Sequence, residues 1–189
     1  TELVIGNGLL TINRETFANC SALETLVIGD SVVTIGTYAF SGCSSLKTLN
    51  IGTAVQKIYD HAFSNCIELS QINFSESVDY IGEYAFENCK ALASVSIPGS
   101  VQTIALGAFY GCSGLKNLEL NEGIINIYGR AFMNCPLTKV VIPDSVQNIY
   151  TYEYYSSGDK FDGAFENCKA LTELVIGNGL LTINRETFA

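Results

Sequence analysis

A repeat solenoid, short coils stacked one on the next, is the fold this sequence predicts, and three observations predict it. Cysteines stand at 20, 43, 66, 89, 112, 135 and 168, which makes five intervals of 23 residues and one of 33. Phenylalanines at 17, 40, 63, 86, 109, 132, 165 and 188 keep the same ruler, and an alanine precedes each of the middle six. Residues 1–18, TELVIGNGLLTINRETFA, recur without a change as residues 172–189. A unit this short cannot bury its own apolar side, so it needs copies of itself above and below.

The copy from Leu69 to Ala91 shows the parts of the unit in order. Leu69, Ile72 and Phe74 are spaced by three and then two, which fits a turn entering a short strand whose alternate side chains point inward. Their counterparts are Leu23/Leu26/Ile28, Leu46/Leu49/Ile51, Leu92/Val95/Ile97, Leu115/Leu118/Leu120 and Leu171/Leu174/Ile176. The Val-x-x-Ile step, as in Val32 to Ile35 or Val101 to Ile104, is a second short extended segment. The residue before each cysteine is Asn19, Gly42, Asn65, Asn88, Gly111, Asn134 or Asn167. Asn and Gly tolerate the left-handed conformation that ends a helical turn. Tyr84-Ala85-Phe86-Glu87 and its equivalents therefore read as a helical or 3-10 turn capped by that residue.

The resulting pattern, L-x-x-L-x-I-(P)-x-x-(S)V-x-x-I-x-x-x-AF-x-x-(N/G)C, resembles the BspA-like subclass of leucine-rich repeats over essentially the whole chain. Ile97-Pro98-Gly99-Ser100-Val101 and Ile142-Pro143-Asp144-Ser145-Val146 carry the family's I-P-x-S-V corner, while Ile51-Gly52-Thr53-Ala54-Val55 departs from it. The resemblance implies a right-handed coil with a parallel β-sheet on one side, and short second strands and helical or 3-10 turns on the other. It also implies a secreted or surface-anchored protein of a host-associated microbe. For its function it implies adhesion to host extracellular matrix proteins such as fibronectin or fibrinogen. At ~4.8 Å per stacked strand, about eight coils make a rod on the order of 40 Å long.

The exact recurrence of residues 1–18 after 171 residues equals six units of 23 and one of 33, so a seven-coil block is duplicated. Residues 1–189 are expected to form a single solenoid with partial coils at both ends, a piece of a longer array. Its uncapped ends are expected to stack head to tail with other molecules. The 33-residue interval contains an insertion, Thr151 to Phe161 (TYEYYSSGDKF), and one residue is missing at Cys135-Pro136-Leu137. The insertion holds Tyr152, Tyr154, Tyr155 and Phe161. Solenoid insertions map to loops on one face, and Tyr/Ser/Gly-rich loops combine rigid contact area with adaptable hydrogen bonding, as antibody paratopes do. Two readings stand: the rings contact a partner, or they fold back as an extra strand pair covering the flank.

Composition removes several function classes. The chain has 189 residues, 48% hydrophobic and 15% charged, which describes a folded protein rather than a disordered one. No apolar run is long enough to span a membrane. Ten Lys and Arg against nineteen acids give a net charge of −9, which is incompatible with nucleic-acid binding through the phosphate backbone. No signal peptide is visible at Thr1-Glu2-Leu3-Val4. Zinc needs closely paired ligands, whereas the seven cysteines never come closer than 23 residues and the single histidine is His61. No metal or other cofactor is expected. The cysteines read as a buried column of free thiols acting as small hydrophobes.

Nothing points to catalysis, and no enzyme is expected. His61 occupies a variable position held elsewhere by Tyr38, Tyr84, Gly107 or Arg130, and reads as a surface residue. Gly6-Asn7-Gly8 lacks the third glycine and long helix of a dinucleotide loop, and Asp159-Lys160-Phe161-Asp162-Gly163 is too short for a calcium loop. Asn73-Phe74-Ser75 and Asn19-Cys20-Ser21 match glycosylation acceptors, although Asn19 has the capping role.

What remains is surface. Residues alternating with the buried Leu and Ile form two outward columns across the main strands. One is Thr25, Thr48, Gln71, Ser94, Asn117, Lys139 and Glu173; the other is Val27, Asn50, Asn73, Ser96, Glu119, Val141 and Val175. Varied, mostly small and polar, they suit an extended face for a large protein partner, and equally an ordinary solvated sheet face. Two functions compete: a binding or adhesion module, and a structural spacer lengthened by block duplication.

Overall fold

The computed structural model describes residues 1–154 and 160–189, with the side chains of all of these except Tyr154, Lys160 and Phe161. Each coil contributes one strand to a main side and a two-residue strand to a second side. The main strands are β1 (Glu2–Ile5), β3 (Thr25–Ile28), β5 (Thr48–Asn50), β7 (Gln71–Asn73), β9 (Ser94–Ile97), β11 (Asn117–Leu120), β13 (Lys139–Ile142) and β17 (Glu173–Ile176). The second-side strands are β2 (Thr11–Ile12), β4 (Thr34–Ile35), β6 (Lys57–Ile58), β8 (Tyr80–Ile81), β10 (Thr103–Ile104), β12 (Asn126–Ile127), β14 (Asn148–Ile149) and β18 (Thr182–Ile183). These eight form one unbroken parallel sheet, while the main side is divided into β1-β3-β5-β7 and β9-β11-β13-β17. The solenoid with a parallel sheet on one side is therefore as expected.

Burial follows the repeat column by column. Leu26, Leu49, Val95, Val140, Ile35, Ile58, Ile81 and Ile104 are buried, and so are Phe40, Phe63, Phe86, Phe109, Phe132 and Phe165. Phe rings stack from coil to coil at 5.2 to 5.5 Å between centroids, nearly parallel, from Phe17 to Phe188. The stack spacing is close to the interstrand spacing of a sheet, so one ring per coil fills the interior without a void.

The turns correct the sequence-based expectation. Among the described residues there is no helix, and Tyr84-Ala85-Phe86-Glu87 is not a helical or 3-10 segment. Alternate amides are used in two different ways. Those of Tyr84, Phe86 and Asn88 donate to the carbonyls of Leu106, Ala108 and Tyr110 in the next coil. Those of Ala85, Glu87 and Cys89 donate three residues back within the coil, to Gly82, Tyr84 and Phe86. A segment that spends every second N–H on its neighbour cannot keep a helical ladder. Most turns carry two left-handed residues. One is the predicted Asn or Gly before cysteine, with φ of 56° at Asn88 and 73° at Gly42. The other was not foreseen and falls two residues before the phenylalanine, at Glu15, Tyr38, His61, Tyr84, Gly107, Arg130 and Glu186, with φ between 53° and 62°.

The cysteines form the expected column of free thiols, with six buried and Cys20 exposed. Each buried Sγ donates to the carbonyl of the phenylalanine one coil back, as Cys66 does to Phe40 at 3.3 Å and Cys112 to Phe86 at 3.2 Å. Burial pushes the thiols of Cys43 and Cys168 up, to about 11 at each. Reaction with a thiol reagent requires the thiolate. At pH 8, we expect one rapid equivalent, at Cys20, and six more only on unfolding. Two or more rapid equivalents in the native state would contradict the buried column.

Candidate functional site

The main sheet holds the predicted columns in the predicted register. Thr25, Thr48 and Gln71 are opposite one another on successive strands, as are Val27, Asn50 and Asn73. Beyond the division, Ser94, Asn117, Lys139 and Glu173 align, and Ser96 aligns with Glu119. Gln71, Asn73, Asn117, Glu119 and Lys139 are exposed, and Asn50 is half-buried. Asn73 donates to Asn50 Oδ1 at 3.3 Å, and Lys139 pairs with Glu173 at 2.7 Å. Exposed pairs of this kind contribute little to stability, so these groups remain available for exchange with a partner.

The division lies between β7 and β9, which are not hydrogen-bonded to each other. The Phe63–Phe86 and Phe86–Phe109 spacings on either side, 5.3 and 5.2 Å, are unchanged, so the opening is confined to the strand side. It coincides with Phe74, which stands where other coils carry Ile28, Ile51, Ile97, Leu120 or Ile142. Its ring meets Phe86 edge-on at 5.6 Å, at the exit of the strand that lacks a partner in β9. A second weak seam follows: β11 and β13 are in register only at Asn117 and Lys139, next to the missing residue at Pro136. Beside these seams, Ile72 on β7 and Leu118 on β11 are only partly buried, although the equivalent Leu26, Leu49, Val95 and Val140 are buried.

The insertion forms a separate antiparallel ribbon, β15 (Tyr152–Tyr154) with β16 (Lys160–Asp162). The inserted residues thus pair as strands, while Tyr155 and the side chains of Tyr154 and Phe161 lie outside the described residues. The ribbon leaves the second side just after β14, so Tyr152 is not brought together with Asn50, Gln71, Asn73, Asn117, Glu119 or Lys139 on the main strands. Arg130 fastens its base. The guanidinium pairs with Asp162, with Nε at 2.7 Å, donates to the Tyr84 hydroxyl at 3.1 Å and lies 4.5 Å from the Tyr152 ring. Burial opposes its charge, but the Tyr84 and Asp162 hydrogen bonds outweigh burial and hold its pKa above the usual arginine value. Two glycines make the arrangement possible. A Cβ at Gly107 would come within 2.3 Å of the Tyr84 ring, which reaches across that coil to Arg130, and one at Gly129 would come within 2.4 Å of the Tyr152 amide.

Sequence reasoning missed Arg130 because its partners lie 32 and 46 residues away; the only signal was an arginine unique to its column. It also placed His61 simply at the surface, whereas the ring is stacked between Tyr38 at 4.6 Å and Tyr84 at 5.3 Å. Arg130→Ala is expected to raise amide exchange at Tyr152 and Asp162 roughly tenfold, equivalent to ~1.4 kcal/mol of local opening, with little change in global melting. Unchanged exchange in the ribbon would show that Arg130 does not hold it.

Among the described residues, no cluster of His, Cys, Asp or Glu could hold a metal ion, and no helix is long and apolar enough to cross a membrane. A search of curated proteins found no match. The structure is similar to a leucine-rich cell surface protein from Faecalibacterium prausnitzii A2-165, at 31% identity and a TM-score of 0.80. The match covers 93% of this chain and 47% of that one. It is also similar to the T. pallidum leucine-rich repeat protein at 26% identity and a TM-score of 0.64, over 95% of this chain and 70% of that one. The chain thus spans about half the length of the Faecalibacterium protein. The family profile "BspA type Leucine rich repeat region" matches in 6 copies over residues 1–103, 80–160 and 161–189. With its column of stacked phenylalanines, parallel sheet and outward polar rows, this chain belongs to the BspA-type leucine-rich repeat family.

Proposed function

We propose that the chain is a non-enzymatic protein-binding module of a secreted or cell-surface protein, and that it adheres to a host extracellular matrix protein through the main strand face. The observation that carries this reading is the pair of outward columns. Gln71, Asn73, Asn117, Glu119 and Lys139 vary in chemistry while the residues alternating with them stay aliphatic, and backbone pairing aligns Gln71 and Asn73 with the strand before them and Asn117 and Glu119 with Ser94 and Ser96. Such a face offers many weak polar contacts in fixed register to a large partner. The surface location rests on the family and on the cell-surface Faecalibacterium protein it resembles.

The ribbon is the second candidate, since Arg130 fixes its base and its Tyr152 is an aromatic contact residue. A spacer without a ligand of its own is the alternative, favoured by the unchanged recurrence of residues 1–18 as 172–189, which signals a duplicated block that lengthens an array. One experiment separates the three: binding to immobilised fibronectin, fibrinogen and host-cell glycans by the chain, by a version lacking Thr151 to Phe161, and by Asn73→Lys/Asn117→Lys. With the strand face as the contact surface, the deletion binds normally and the double variant binds at least about tenfold more weakly. Binding abolished by the deletion alone assigns the ribbon, and no binding by any version favours the spacer.

A further inference from the structure

Successive coils are tied on the strand side by amides that enter each main strand. Lys47 and Thr48 donate to the Glu24 carbonyl, Ser70 and Gln71 to Lys47, and Lys116 and Asn117 to Ala93. The interface between the coils of β7 and β9 breaks this series, since the two strands do not pair. Its last link on that side is the Ala91 amide to the Ile67 carbonyl, in the loop before the strands. Elsewhere the same interface is complete. Tyr80 and Ile81 pair with Thr103 and Ile104, and the Ser100 hydroxyl donates to the Val78 carbonyl at 2.7 Å. In the turn, the amides of Tyr84, Phe86 and Asn88 all donate across it, and Phe86 stacks on Phe109 at 5.2 Å.

A stack of coils resists bending because a backbone ladder cannot lengthen without breaking hydrogen bonds. An interface tied along the turn and second side, and free along the main strands, can rotate about the tied part with every one of those bonds kept. Packing on the free side offers little resistance: Ile72 and Leu118 are only partly buried, and an open depression of about 430 Å³ already lies over β9 and β11. The tied side carries a reinforcement of its own. Arg130 Nη1 donates to the Tyr84 hydroxyl at 3.1 Å, joining the coil before the interface to one beyond it across Gly107. The weaker β11–β13 contact is not equivalent, because the Thr138 amide still donates there to the Lys116 carbonyl.

We propose that this interface is a hinge. The coils up to β7 and those from β9 onward move as two bodies about the turn and second side, so the strand face consists of two panels whose mutual angle varies. Thr48, Asn50, Gln71 and Asn73 lie on one panel, and Ser96, Asn117 and Glu119 on the other. In its consequence for binding, the proposal rests on the reading of the strand face as the contact surface. A large partner touching both panels selects one angle, whereas a partner touching one panel leaves the hinge free.

The test is electron paramagnetic resonance of nitroxide pairs on the full chain, with the exposed Cys20 replaced by serine so that only introduced thiols are labelled. Three pairs each span three coils, ~14 Å at ~4.8 Å per strand. Thr48→Cys/Asn117→Cys crosses the interface on the strand face. Glu2→Cys/Gln71→Cys lies on the same face within one panel, and Gln56→Cys/Ile125→Cys crosses the interface on the second side. The first pair is expected to give a distance distribution about twice as wide as either of the others. Asn50→Cys/Glu119→Cys, crossing the interface in the neighbouring column, is expected to repeat that width. Equal widths for the crossing and within-panel pairs on the strand face overturn the hinge, and so does a second-side pair as broad as the first. These widths are read on the chain without a partner. Loss of the strand-face reading in the matrix-protein panel would therefore leave them unchanged, and the two failures are told apart.

Discussion

Replacing Phe86 by alanine is expected to lower the unfolding free energy by about 3–5 kcal/mol, read from the shift of the urea midpoint. The ring is fully buried, stacked on Phe63 and Phe109 and touched edge-on by Phe74. Its loss leaves a cavity in the middle of a column whose spacing is fixed by backbone ladders on two sides. The neighbouring coils cannot collapse into the space without breaking those ladders, so the cost should fall in the upper part of the range for large-to-small substitutions. Because stability in a solenoid is a sum over neighbouring coils, the same substitution also weakens cooperativity between the two halves. A cost below about 1 kcal/mol would mean that the phenylalanine column does not hold the coils together.

Asn88→Val is the second large effect, about 1–2 kcal/mol of backbone strain with a hydrogen bond lost in addition. Asn88 has φ of 56°, and its Nδ2 donates to Asn65 Oδ1 of the preceding coil at 3.1 Å. A β-branched residue fits that conformation poorly, and valine offers no donor. Asn88→Gly separates the two contributions, since glycine accepts the conformation but also lacks the side chain. The valine variant is expected to be clearly less stable than the glycine variant. Equal stability would show that the left-handed geometry is not what selects asparagine there.

The period, the buried columns, the outward columns and the separate nature of the insertion are all legible in the sequence, because each rests on which face a side chain must take. The turn was misread for a specific reason. Asn or Gly before cysteine signals one left-handed residue correctly, but the second falls on Tyr38, His61, Tyr84 or Arg130, residue types that do not advertise it. That conformation is imposed by hydrogen bonds to the next coil, as from Tyr84 N–H to the Leu106 carbonyl, and those are invisible until the coils are stacked. The strain is partly offset by the column it creates, in which Tyr38, His61 and Tyr84 stack. The seam is similar. Phe74 is visible as a departure from isoleucine, yet that one larger ring could open the sheet beside β7 rather than shift the whole stack follows only from the unchanged phenylalanine spacing.

The account therefore turns on a solenoid whose turn side is continuous and whose strand face is unpaired between β7 and β9. Amide hydrogen exchange on the chain alone tests this most directly. The amides of Phe40, Phe63, Phe86, Phe109 and Phe132, each donating to the next coil, should exchange at a common slow rate set by global unfolding. Ala93 and Ser94, whose strand β9 lacks its partner β7, should exchange much faster than Lys47, Thr48, Lys116 and Asn117, whose amides are bonded to the preceding coil. Slow exchange at Ala93 and Ser94 would contradict the open seam, and fast exchange midway along the phenylalanine row would contradict the continuous stack.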